Sequence, residues 1–200
     1  MNAPSLTHPS RAAAARRRRQ APLDDRVFGM LIFVATEVMF FTALISAFVV
    51  IKAGVEPWVP PPGVRLPVLA TAGNSLLLVL SAVLLHQAGR GFAAAGPAAR
   101  VQSLLGGAAL LGGLFVAFQG YEWLRLIDYG LTMTSGIFGG CFFLLIGTHG
   151  IHAAVAAVAM FWLYLLGKRH RLRLAHVRAM QVFWYFVVGI WPVLYGLVYF

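Results

Sequence analysis

The sequence predicts an all-α, polytopic membrane protein, a bundle of five transmembrane helices, and three observations carry that prediction. Of 200 residues, 60% are hydrophobic and 11% charged, against roughly 45–50% and about 25% in an average soluble domain. The mean hydropathy of +0.80 excludes an ordinary soluble domain and excludes disorder over most of the length. The apolar residues also fall into five runs of about 20 residues or more, the length that crosses a hydrocarbon core.

Taken in order, residues 1–22 hold four consecutive arginines among Ala, Pro and Ser and read as a disordered basic tail. No small-residue cleavage site follows a short apolar core, so this stretch is not a signal peptide. Residues 23–200 form one domain with spans at about 27–51, 66–85, 101–124, 135–166 and 179–200. The first separator contains Pro57, Pro60, Pro61, Pro62 and Pro67 and cannot be helical throughout, because proline lacks an N–H and clashes in a helix interior. The others, 87–100, 125–134 and 167–178, are short enough to hold the helices in one compact bundle. Gly106, Gly113 and Gly120 on the third helix and Gly136, Gly140, Gly147 and Ala154 on the fourth form small-residue stripes suited to close helix approach. Tyr121, Trp123, Tyr129, Trp162, Tyr164 and the series from Trp184 to Tyr199 suggest an interfacial aromatic belt, and Pro192 predicts a kink in the last helix.

The net charge of +10 raises nucleic acid as a partner until the charges are placed. Thirteen of the 16 basic residues fall on one side of the predicted membrane, and only Lys52, Arg65 and Arg125 on the other. Basic residues accumulate in cytoplasmic loops, so the N-terminus is expected in the cytoplasm and, after five crossings, the C-terminus outside. Scattered over three segments, the charge suits anionic lipid headgroups rather than nucleic acid. The single cysteine, Cys141, can form neither an internal disulfide nor a Cys-rich metal site.

Chemistry is sparse. Of six acids, Glu37 lies about ten residues into the first helix, some 15 Å deep at about 1.5 Å per residue. A charged acid there costs at least about 2.5–3.5 kcal/mol, so Glu37 must be protonated, paired or facing a polar interior. Either a polar contact between helices or direct proton handling satisfies that requirement. His149 and His152, three residues apart in the fourth helix, share a helical face at a compatible depth, so the geometry allows a hydrogen bond from Glu37 to either. A metal site is disfavoured: two neighbours on one face cannot grip one haem iron from opposite sides, and zinc or di-iron sites need three or four ligands. No catalytic residue is predicted, and Ser135 lacks the Gly-x-Ser-x-Gly elbow of a serine hydrolase.

The ordered motifs resemble subunit III of the haem–copper respiratory oxidases. Ala35-Thr-Glu37-Val-Met-Phe-Phe is similar to the family's Ser/Thr-Glu-Val-x-Phe-Phe, and Leu66-Pro67-Val-Leu-Ala-Thr to its Leu-Pro-x-Leu-Asn-Thr. Gln119-Gly-Tyr121-Glu122-Trp resembles Gln-x-Tyr-Glu-Trp/Tyr. The strongest likeness runs from Thr134-Ser-Gly-Ile-Phe-Gly-Gly to Gly147-Thr-His149-Gly-Ile-His152. The last helix departs from the pattern: Tyr185 and Val188 stand where the family usually has His and Asp, and Arg178 where it has Glu.

The resemblance implies the five-helix form, without the two extra N-terminal helices of longer members, and a non-catalytic subunit with no redox centre of its own. Haem and copper would belong to partner subunits of an oxygen-reducing oxidoreductase. The chain would pack against subunit I, within reach of subunit II and in a possible supercomplex, hold phospholipid, and support proton uptake and durability of the catalytic subunit. Glu37, Tyr121, Glu122, His149 and His152 match motif positions. Two rival readings are an accessory subunit of a nitric oxide reductase and a small proton-coupled transporter built on Glu37, the latter weakened by the absence of duplicated broken helices. The electron donor, cytochrome c or quinol, is decided by other subunits.

Overall fold

The computed structural model describes residues 24–61, 63–64 and 66–200; the predicted tail lies outside them. Among these residues the chain is all-helical: α1 (Asp25–Ala53), α2 (Val68–Ala95), α3 (Ala99–Asp128), α4 (Ile137–Lys168) and α5 (Leu174–Tyr199). All five are long and apolar enough to cross a membrane.

Each helix extends beyond its hydropathy run at one end at least, although α2 and α4 begin two residues inside theirs and α5 ends one residue short. The largest correction is at α2, which continues through residues 87–95, expected as a loop, and stops where Gly96 takes φ 72° ahead of Pro97. The segment from Gln87 to Ala95 carries Arg90 as its one charge and is rich in alanine; it leaves the apolar zone without losing helix propensity. α5 likewise begins at Leu174 rather than near residue 179. Asp24 caps α1 by accepting from the backbone N–H of Arg26 at 3.1 Å. α4 is interrupted by one π-helical turn, Phe143–Gly147.

Side-chain to backbone bonds fix the register of neighbouring helices. Ser81 Oγ donates to the Ala108 carbonyl at 2.8 Å and Asn74 Nδ2 to that of Phe115 at 3.0 Å, tying α2 antiparallel to α3. Gln102 Nε2 donates to the Tyr164 carbonyl at 2.8 Å between α3 and α4. α2 meets α5 through Gln181 Nε2 to the Leu85 carbonyl at 3.1 Å, Trp191 Nε1 to Ser75 Oγ at 2.7 Å, and the Tyr195 hydroxyl to the Val68 carbonyl at 2.9 Å. In lipid, where apolar surfaces gain little by meeting one another, such bonds and close packing hold helices together.

α1 sits apart, packing on α5 and on the π turn. Its outward face exposes Phe28, Leu31, Ile32, Val38, Met39 and Phe40.

The close helix approaches draw only in part on the predicted stripes. A Cβ on Gly113, Gly120 or Gly147 would meet nothing within 4 Å, whereas one on Gly112 would stand 3.0 Å from the Trp184 ring and one on Gly150 would run into the Trp123 indole. Gly106, from the stripe, does face the Tyr164 ring, which lies 2.9 Å from where a Cβ would stand. Trp184 and Trp191 are core residues rather than belt residues. Trp58, from the proline-rich segment, closes that end of the bundle against Phe48 and Phe138, with ring centroids 5.5 and 5.3 Å away.

Candidate functional site

The antiparallel arrangement brings the middle of α1 against the middle of α4. Glu37 projects from the face of α1 that also carries Val34, Phe41, Leu44 and Phe48, all packed into the core. Its Oε2 lies 3.0 Å from His152 Nε2, with the side chains only 15% and 19% exposed. The atoms are close but poorly aligned, and Oε2 makes no well-directed hydrogen bond.

The proton inventory of this pair follows from its second contact. His152 Nδ1 lies 2.8 Å from the Thr148 carbonyl oxygen. A carbonyl can only accept, so Nδ1 carries hydrogen. Nε2 therefore either takes a hydrogen bond from a neutral Glu37 carboxyl or, as imidazolium, faces a Glu37 carboxylate. Both states contain one shared proton between Oε2 and Nε2 and have no net charge, which lowers the cost of burial relative to a lone carboxylate. Chemically, the arrangement holds one proton in a low-dielectric interior.

His149 does not join Glu37. It is buried, stacks on the Trp191 indole with centroids 5.1 Å apart at 22°, and has no partner for either ring nitrogen. Three residues advance a helix by about 300°, so the imidazoles diverge by about 60°. The Phe41 ring stands against both, 5.2 Å from His152 and 6.4 Å from His149 between centroids. The π turn immediately before Thr148 went unforeseen in the sequence; such turns recur near functional sites.

The remaining candidates lie toward the proline-rich end. Tyr121 is exposed. Glu122 pairs with Arg125 one turn on, at 3.5 Å. Sequence reasoning also missed the buried Thr71 and Gln119 and the half-buried Asn74 between α2 and α3; Thr71 and Gln119 were visible only as letters of motifs. At the opposite end, Tyr185 bonds His86 Nδ1 at 3.0 Å and receives Gln181 Nε2 at 3.2 Å. The departure in the last helix thus has its own polar partners. Among the described residues, no three His, Cys, Asp or Glu side chains could hold a metal ion.

Fold and site together define a multi-pass membrane protein with, among the described residues, one buried acid–imidazole pair. Residues 19–200 match the family model for cytochrome c oxidase subunit III. Curated relatives named cytochrome c oxidase subunit 3 include one from Synechocystis sp., 31% identical over 88% of this chain and 76% of its own length. Another, from Thermostichus vulcanus, is 28% identical over 88% of this chain and 87% of its own. A third, from Corynebacterium diphtheriae, is 26% identical over 98% and 95%. The chain belongs to the cytochrome c oxidase subunit III family, and is a subunit III of a haem–copper oxidase working in a complex with other oxidase subunits.

Proposed function

We propose that this subunit packs against the catalytic subunit I, holds phospholipid beside it, and supports proton uptake and the durability of turnover through the Glu37–His152 pair. The observation that carries this reading is the 3.0 Å approach of Glu37 Oε2 to His152 Nε2 with Nδ1 committed to the Thr148 carbonyl. A buried intramembrane acid is expensive, and here it is matched with one imidazole rather than neutralised by a fixed cation, which leaves the proton movable. Haem and copper belong to the partner subunits in this reading, and subunit II completes the core complex. Supercomplex membership would be an added property of that assembly.

The charge distribution supports an orientation with the basic end, where α1 and α5 begin, in the cytoplasm of a bacterial inner membrane. The outward apolar face of α1 suits contact with lipid or a neighbouring subunit. The decisive experiment is Glu37→Gln in the purified complex. Subunit III is expected to remain bound, while proton-coupled activity falls or inactivation during turnover accelerates; no change in either leaves Glu37 a packing role alone.

A second reading, association with a nitric oxide reductase, is favoured by Tyr185 and Val188 in the last helix, which stand where the family usually has His and Asp. Mass spectrometry of the copurifying chains separates it from the first.

A further inference from the structure

Two cavities follow one another along the seam of α3 and α4, starting from the basic end of the bundle. The first, about 320 Å³, is lined by Gln102, Gly167, Lys168 and His170. The second, about 460 Å³, is lined by Gly106, Gly113, Leu114, Phe161 and Tyr164. Tyr164 and its partners join them: its backbone carbonyl receives Gln102 Nε2 at 2.8 Å, and Lys168 Nζ stands over its ring, 5.4 Å from the centroid. From Gln102 to Leu114, α3 advances roughly 18 Å at about 1.5 Å per residue, which matches the roughly 15 Å of hydrocarbon in one leaflet.

The two cavities differ in chemistry. The second is largely apolar and faces outward: Leu110, Leu114 and Phe161 on its walls are exposed, and a Cβ on Gly113 would meet nothing within 4 Å. The first lies where residues 87–106 and 162–182 carry six arginines, one lysine and no acid. The acids of that end, Asp24 and Asp25, sit at the start of α1, which packs on α5. Each Lys or Arg near a bilayer surface favours anionic lipid about fivefold. An inorganic anion would serve the basic rim and leave the groove empty, whereas an uncharged lipid would fill the groove and leave the rim uncompensated. A phospholipid with net negative charge serves both.

We propose that the α3–α4 seam binds one anionic phospholipid, its phosphate beside Lys168 and His170 and one acyl chain in the groove over Gly106 and Gly113. The stripe of glycines on α3 thereby divides its work. Gly106 makes room for the Tyr164 ring, which roofs the passage from rim to groove, and Gly113 makes room for the lipid chain. This inference rests on the reading that the subunit holds phospholipid, and adds where the lipid sits and which charge its headgroup carries.

The test uses the intact oxidase complex, purified in detergent and depleted of loosely held lipid, with phosphatidylglycerol carrying a diazirine at the end of one acyl chain. After photolysis, peptide mass spectrometry is expected to place cross-links within residues 106–114 and 161–164, and unlabelled phosphatidylglycerol should compete better than phosphatidylcholine. Lys168→Gln should weaken phosphatidylglycerol binding about fivefold and leave phosphatidylcholine unchanged, whereas Arg125→Gln, at the opposite end, should change neither. Gly113→Leu fills the groove and should abolish the cross-links in a correctly assembled complex. Cross-links confined to other residues, or equal competition by the two lipids, overturn this site and leave the phospholipid-holding role standing. A complex that retains no phospholipid on this subunit overturns that role as well. Loss of a protein subunit from the Gly113→Leu complex, with no lipid cross-links in the parent, shows a partner helix in the groove and overturns the proposal.

Discussion

Replacing Glu37, His152 or both by alanine in a double-mutant cycle measures what the buried pair contributes. The separation is 3.0 Å and both side chains are largely removed from solvent. If the pair is ionised, Coulomb attraction at an effective dielectric of about 20 reaches roughly 5 kcal/mol, an upper bound before desolvation is subtracted. If it is neutral, a membrane hydrogen bond is worth about 0.6 kcal/mol on average and at most about 1.7. Poor alignment and the low cost of a neutral pair favour the second range, so we expect a coupling of about 0.5–1.5 kcal/mol. Reversible unfolding of the subunit in mixed micelles, followed by tryptophan fluorescence, gives the four stabilities. A coupling above about 3 kcal/mol identifies the ion pair; one below about 0.3 kcal/mol, under the range for membrane hydrogen bonds, refutes the claim that these groups share a proton.

Three further outcomes are expected. Gly150→Ala forces a Cβ into the Trp123 indole whereas Gly147→Ala meets open space, so thermal denaturation should show about 1–3 kcal/mol lost in the first and little change in the second. Tyr185→Phe removes the partner of His86 and Gln181 and should cost about 0.5–1.5 kcal/mol in the same assay. Alkaline phosphatase fused within residues 129–136 should be active and within 169–173 inactive; the reverse pattern would overturn the cytoplasmic placement of the basic end.

The spans were legible in the sequence because lipid imposes a nearly uniform apolar requirement over a fixed length. Their ends were not, because hydropathy registers the membrane and not the helix: Gln87–Ala95 leaves the apolar zone yet stays helical until Gly96. Glu37 stood out as an acid where acids are costly. The spacing of His149 and His152 announced a shared site, but the divergence of about 60° sends one ring to Glu37 and the other to Trp191. Which glycine admits a neighbour depends on the side chain opposite. Gly112 and Gly113 are alike in sequence, and only the position of Trp184 separates them.

In the role proposed for it, the acid serves two purposes at once, and the position of α1 gives the physical reason. Its outward face is apolar, its inward face is apolar, and lipid competes for both, so burial alone gives α1 little reason to stay on the bundle. Three polar contacts at three levels supply that reason. Arg26 Nη1 donates to His176 Nε2 at 2.8 Å near one end, Glu37 meets His152 at the middle, and Lys52 Nζ donates to the Leu197 carbonyl at 2.9 Å near the other. The end contacts involve permanent cations, arginine and lysine. Only the central one can change its protonation without acquiring net charge, because its proton can sit on either partner. The pair thus fastens α1 in both of its states, and a proton held there can shift while the helix stays in place.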